Sequence, residues 1–167
     1  MSREVSDNTS LLRLVPEGSY SAHGSYSFSG KEERHYPVES LFTLSHPDLL
    51  LILDGTFSLP EGVKHGFRLE LELPKNEAGK GYFVFQFAPL TEIVGVLGHV
   101  DGATYMLAGR SKTPPTQLSC HLVLVDDRTL ALTGLLAYED FKWVTWSVSM
   151  KSYDPQQTNV VSLPRRG

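Results

Sequence analysis

The chain reads as an all-β protein, a closed or nearly closed antiparallel barrel of about 8 to 10 strands, with a β-sandwich as the alternative. Three observations predict this. Phe67 to Leu73 alternates apolar and charged residues without a fault, the two-residue period of a strand with one face in a core and one in water. Ser19 to Ser29 alternates in another way: Ser19, Ser21, His23, Ser25, Ser27 and Ser29 fall on one face, and Tyr20, Ala22, Gly24, Tyr26 and Phe28 on the other. Asp101-Gly102 sits between two apolar runs, where a dipeptide that tolerates positive φ closes a hairpin.

The elements follow in order. Residues 1 to 18 lack strand periodicity; Leu11, Leu12, Leu14 and Val15 make an apolar strap that Pro16-Glu17-Gly18 ends. The strand Ser19 to Ser29 is followed by a charged turn, then by His35 to Ser45 and, beyond His46-Pro47-Asp48, by Leu49 to Leu59. Phe67 to Leu73 and Tyr82 to Phe87 flank the turn Asn76 to Gly79. Glu92 to Val100 and Ala103 to Ser111 form the Asp101-Gly102 hairpin, and Gln117 to Val125 with Thr129 to Leu136 form another around Asp126-Asp127-Arg128. A last strand spans Lys142 to Tyr153. The expected organisation is a strap or lid over 1–18, a barrel over 19–153 and a flexible tail over 154–167. So many strands joined by short breaks must close or fold onto themselves, and closure removes the exposed edges.

Composition bounds the function. A chain of 167 residues suits one core. Its single cysteine, Cys120, excludes an intramolecular disulfide and a multi-cysteine metal site. With a polar amino terminus and no apolar run long enough to span a bilayer, the expected setting is cytoplasmic, with no membrane span. A net charge of −4 and a pI near 5.8 give no attraction to phosphate backbones, so no nucleic acid is expected.

The chemistry-bearing residues form no known catalytic motif. Six histidines occur without His-x-His or His-Glu-x-x-His spacing, so no metal is expected. Cys120 and His121 are neighbours on a strand and point to opposite faces, which prevents a thiol–imidazole pair; Cys120 shares its face with Leu118 and Leu122 and reads as buried and inert. No Gly-x-Ser-x-Gly elbow and no glycine-rich phosphate loop precede a helix, and no cofactor is expected.

What is left is a set of polar residues embedded in apolar strands: Gln86, His99, Arg110 and His121. Inside a barrel such groups would orient a ligand. Tyr105, Trp143 and Trp146 are the candidate wall residues; the two tryptophans lie three apart and so face opposite sides, one lining the interior and the other joining an outer contact. The expected function is binding of a small, largely apolar molecule in the barrel interior. The alternative is a cofactor-independent cyclase or isomerase acting on a flexible apolar substrate in the same pocket, and the third reading is a β-sandwich interaction module. Tyr82 to Phe87 and Ile93 to Leu97 are apolar on both faces, which implies cover on both sides and, most economically, a homo-oligomer whose contact includes Phe83, Phe85 and Phe87.

Overall fold

The computed structural model describes residues 11–29, 35–48, 50–58, 62–73, 79–87, 92–112, 115–138 and 142–153. Ten strands run in chain order: β1 (Gly18–Phe28), β2 (His35–Ser45), β3 (Leu50–Ser58), β4 (Lys64–Glu72), β5 (Lys80–Phe87), β6 (Ile93–Asp101), β7 (Thr104–Lys112), β8 (Pro115–Asp126), β9 (Thr129–Tyr138) and β10 (Lys142–Tyr153). Each pairs antiparallel with its sequence neighbour, and β1 pairs with β10, so the meander closes into a barrel. The closing seam is long, from Ser19 opposite Tyr153 to Phe28 opposite Val144. That seam excludes a sandwich, because no strand is left as an edge. Among the described residues no helix is long and apolar enough to cross a membrane.

The alternation sets which side chains enter the lumen. Tyr20, Ala22 and Tyr26 of β1 are buried, while His23 is exposed. On β4, Leu69 and Leu71 are buried, and Arg68 and Glu70 meet on the outside, with Nε 2.7 Å from Oε1. The expected hairpin exists one residue later than its sequence suggested. Asp101 pairs with Thr104, so Gly102 and Ala103 form the loop, with φ of 49° at Gly102 and a register shift between His99 and Asp101. The bulge absorbs the extra residue.

The two ends of the barrel differ. At the end where β1 begins, the 3-10 turn Leu11–Leu14 contributes the fully buried Leu12 to the core, and Val15 just after it is buried there too. Three polar contacts hold this strap: Tyr20 donates its hydroxyl to Pro16 O at 2.6 Å, His46 Nε2 lies 2.8 Å from Val15 O, and His46 N donates to Glu17 Oε1 at 2.6 Å. A ten-stranded lumen is wider than an eight-stranded one, which side chains alone can fill. Leu12 and Val15 join Leu44, Leu51, Leu71, Leu73, Tyr105, Leu122 and Leu130 in the core that closes this end.

The outer face of β5 and β6 departs from expectation. Phe83, Phe85 and Phe87 share the inward register of β5, whereas Tyr82, Val94 and Val96 stand exposed on the outside. The phenylalanines therefore belong to the interior and form no outer patch. Tyr82, Val94 and Val96 are exposed, so none of the described residues of the chain covers the outer face of β5 and β6.

Candidate functional site

At the opposite end, where β1 finishes and β2 starts, the lumen is hollow. A cavity of about 340 Å³ lies there, floored by Leu132 and Met150 and walled by Phe42, Phe67, Phe85, Val148 and Trp146, with Tyr26, Phe28, Phe57 and Phe87 toward the mouth. The rings form a connected lining. Phe57 stacks on Phe87 at 4.8 Å between centroids and Phe85 stacks on Phe87 at 6.2 Å, while Phe42 meets Phe67 edge-on at 4.8 Å. Tyr26 stacks on Tyr36 at 5.3 Å and contacts Phe28 edge-on. His65 completes the group, 6.0 Å from Phe87 and 6.2 Å from Phe57.

Why the rings line this space without filling it is written in the register. Phe42 pairs across strands with Gly55, and a Cβ there would fall within its ring. Trp146 pairs with Gly134, where a Cβ would lie 2.9 Å from Trp146 Cε2 and 2.9 Å from Ser119 O. Each ring therefore lies flat along the barrel wall over a residue with no side chain, instead of standing toward the axis. Glycine in a strand marks such a close approach.

The wall also has a gap beside the cavity. Only Phe42 to Ser45 of β2 pair with β3, whereas His35 to Leu41 face Thr56 to Ser58 without ladder bonds. A side recess of about 130 Å³ occupies the gap, and Val38 and Phe57 line both it and the main cavity. Tyr26 spans the site by donating its hydroxyl to Ser58 O at 3.2 Å. Burial, and then the neighbouring Tyr36, push the Tyr26 hydroxyl above its ordinary pKa, so it is a neutral donor at neutral pH. The other polar lining group is the Trp146 indole; all remaining lining side chains are hydrocarbon or phenyl apart from the Met150 thioether.

Of the residues singled out from sequence, Trp146 lines the cavity. Gln86 stands on the outer face of β5 and donates to Glu92 Oε2 at 3.0 Å. Arg110 is exposed on the outside of β7, and His121 on the outside of β8. His99 faces inward at the closed end, where Nε2 lies 2.7 Å from Gly102 O and its ring is 5.3 Å from that of the buried Tyr105; both tie the hairpin to the core. The Trp143 side chain lies outside the described residues, as do residues 1–10 of the strap segment and the tail 154–167. Cys120 is buried, which pushes its thiol up to about 12. Among the described residues no three His, Cys, Asp or Glu side chains converge as metal ligands.

The sequence pattern puts Tyr26 and Phe28 on one face of a strand but does not bring them together with Phe42 and Phe57. The usable signal was positional: on adjacent antiparallel strands, Tyr26 and Phe28 end β1, Phe57 ends β3, Phe67 opens β4, and Phe85 and Phe87 end β5. Those positions share one end of a meander.

No family model matches the chain, and no curated protein matches it. Among solved structures, a redesigned β-barrel is similar over 87% of this chain and 96% of its own, with 7% sequence identity and a TM-score of 0.46.

Proposed function

We propose that the protein binds a small, neutral, ring-bearing apolar molecule in the aromatic end of its barrel. The observation that carries this reading is the cavity of about 340 Å³, closed below by the packed core and lined by stacked rings. Its size falls at the lower end of small-molecule sites, which bury most of their ligand in apolar surroundings with a few placed polar groups. A ligand charge buried here would meet no countercharge among the described lining residues, a cost of several kcal/mol. The Phe57–Phe87 and Phe85–Phe87 stacks present ring faces and edges suited to another ring. The gap between β2 and β3 offers a lateral way in besides the mouth.

Binding is favoured over catalysis by the state of the lining donors. A cyclase or isomerase needs a polar group aimed at the reacting atoms; of the two polar lining groups the Tyr26 hydroxyl is committed to Ser58 O, and the Trp146 indole N–H donates only and cannot act as a base. The test is a fluorescence titration with N-phenyl-1-naphthylamine, a neutral aromatic probe. We expect saturable enhancement, quenching of Trp146 emission, and weaker binding in Val148→Trp, which fills the lumen. A long-chain carboxylate should compete poorly. No saturable binding of any neutral probe, or affinity unchanged in Val148→Trp, would overturn the proposal.

A further inference from the structure

Exposed apolar side chains are spread unevenly over the outside of the barrel. Around β10, β1 and β4 the outward positions are Ser147 and Ser149, Ser21 and His23, and Arg68 and Glu70. Around β5 to β9 they include exposed apolar side chains, Tyr82 at 56%, Val94 50%, Val96 45%, Met106 38% and Leu135 39%, interleaved with the polar Gln86, Arg110, Gln117, Ser119, His121 and Thr133. A shallow depression of about 480 Å³ runs across this side, lined by Val94, Val96, Ala108 and Leu135 and by the polar Arg110, Gln117 and Ser119. Exposed apolar side chains rimmed by polar ones in this way mark a contact face.

We infer that a second copy of this chain covers it, the two barrels packed face to face about a two-fold axis that lies between them, crosses the strands at right angles and passes over Ala108. The charges at the ends of the face select this arrangement. At the open end of β7 stand exposed Arg110 and Lys112, neither with an ion-pair partner among the described residues. At the other end lie exposed Asp101, which pairs across strands with Thr104, and exposed Asp126 and Asp127 in the next turn. Lys112 and Thr104 are each four residues from Ala108, about 13 Å along a strand. The rotation therefore lays Lys112 over Asp101 of the partner subunit and brings Val96 against the partner's Val96, with Leu135 against the partner's Leu135. A two-fold axis along the strands would instead set the Arg110 and Lys112 pairs side by side, a like-charge contact that disfavours that packing. Lys80, Arg128 and Lys151 at the acidic end, the last acting on Asp126, and Glu92 held by Gln86 at the basic end, soften the asymmetry without reversing it. The axis makes the face self-complementary, as an isologous dimer requires.

Sedimentation equilibrium decides it. Wild type at about 0.1 mM should sediment at twice the monomer mass of 18.6 kDa. Val96→Glu, and independently Val94→Lys, should sediment as monomer with an unchanged circular dichroism spectrum, whereas Leu41→Glu, at a 62% exposed position on β2, should stay dimeric. Lys112→Glu should weaken the dimer about tenfold, and adding Asp101→Lys should restore it. A monomeric wild type overturns the inference, including one that floats with phosphatidylcholine vesicles through this face. So does a dimer broken by Leu41→Glu but not by Val96→Glu, and a dimer indifferent to Lys112→Glu overturns the antiparallel packing.

Discussion

Adding one methyl group should have opposite consequences at two glycines of the same barrel. At Gly134 on β9 a Cβ would stand 2.9 Å from Trp146 Cε2 and 2.9 Å from Ser119 O, closer than real Cβ contacts come. The ring must swing off the wall into the cavity, or β9 must part from β8. Overpacking of this kind costs about 1 to 3 kcal/mol, which for a domain of this size lowers the thermal midpoint by about 2 to 4 °C for each kcal/mol. At Gly66 on β4 a Cβ would meet nothing within 4 Å, and the backbone there is not in the left-handed region. Gly66→Ala should therefore stabilise by about 0.4 to 1 kcal/mol, by restricting the unfolded chain. Urea titrations followed by circular dichroism give both differences, and the emission maximum of Gly134→Ala should shift as Trp146 moves. Probe affinity should fall with it, because the displaced ring takes up ligand volume. A Gly134→Ala protein as stable as wild type, with unchanged emission, would refute the claim that the glycine holds the ring against the wall.

The closed end is tested by Leu71→Ala, which should cost about 2 to 5 kcal/mol because the side chain is fully buried. Glu70→Ala, one residue away on the outer face, loses only its half-exposed pair with Arg68 and should stay within about 1 kcal/mol; equal effects would mean the register is inverted. Alkaline pH should unfold the protein through Cys120, whose thiol burial raises from an ordinary 9.0 to about 12. A raised folded value means that this stability is complete below pH 9 and declines from 9 to 12 by about 1.4 kcal/mol per pH unit. Cys120→Ala should flatten that decline in pH-dependent denaturation curves, and an unaltered slope would show that the thiol is not the source. Tyr20, raised by burial, acts in the same direction above pH 10, so Tyr20→Phe should add to the flattening.

The fold was largely legible because period-2 alternation is a local property. Ser19 to Ser29 and Phe67 to Leu73 announce their faces whatever they pair with, and ten expected strands became ten observed ones. Boundaries were missed where alternation fails: β4 begins at Lys64, ahead of Phe67, because Lys64 and Gly66 give no apolar signal, and β5 begins at Lys80-Gly81 for the same reason. Site reasoning from single strands worked less well. Gln86, Arg110 and His121 stand out against apolar neighbours in the sequence, yet those neighbours, Val84, Ala108 and Val123, share the outward register. An apolar residue on the outer face of a barrel looks in sequence like one in its lumen. The contrast that places the cavity emerges only once the strands are closed into a ring, with Leu44, Leu51, Leu71 and Leu73 at one end and Tyr26, Phe57, Phe85 and Phe87 at the other. Leucines pack into a solid core, whereas rings seated over Gly55 and Gly134 leave space between them.

The central claim is that the aromatic end of the barrel is hollow and apolar while the strap end is solid. Apolar cavities stay dry and take up xenon, so diffraction from crystals pressurised with xenon measures it directly. We expect xenon density between Phe42, Phe85 and Trp146 and none among Leu12, Leu71 and Tyr105. A lumen filled by side chains between Phe42 and Trp146, a chain of ordered waters there in place of xenon, or xenon at the strap end would contradict it.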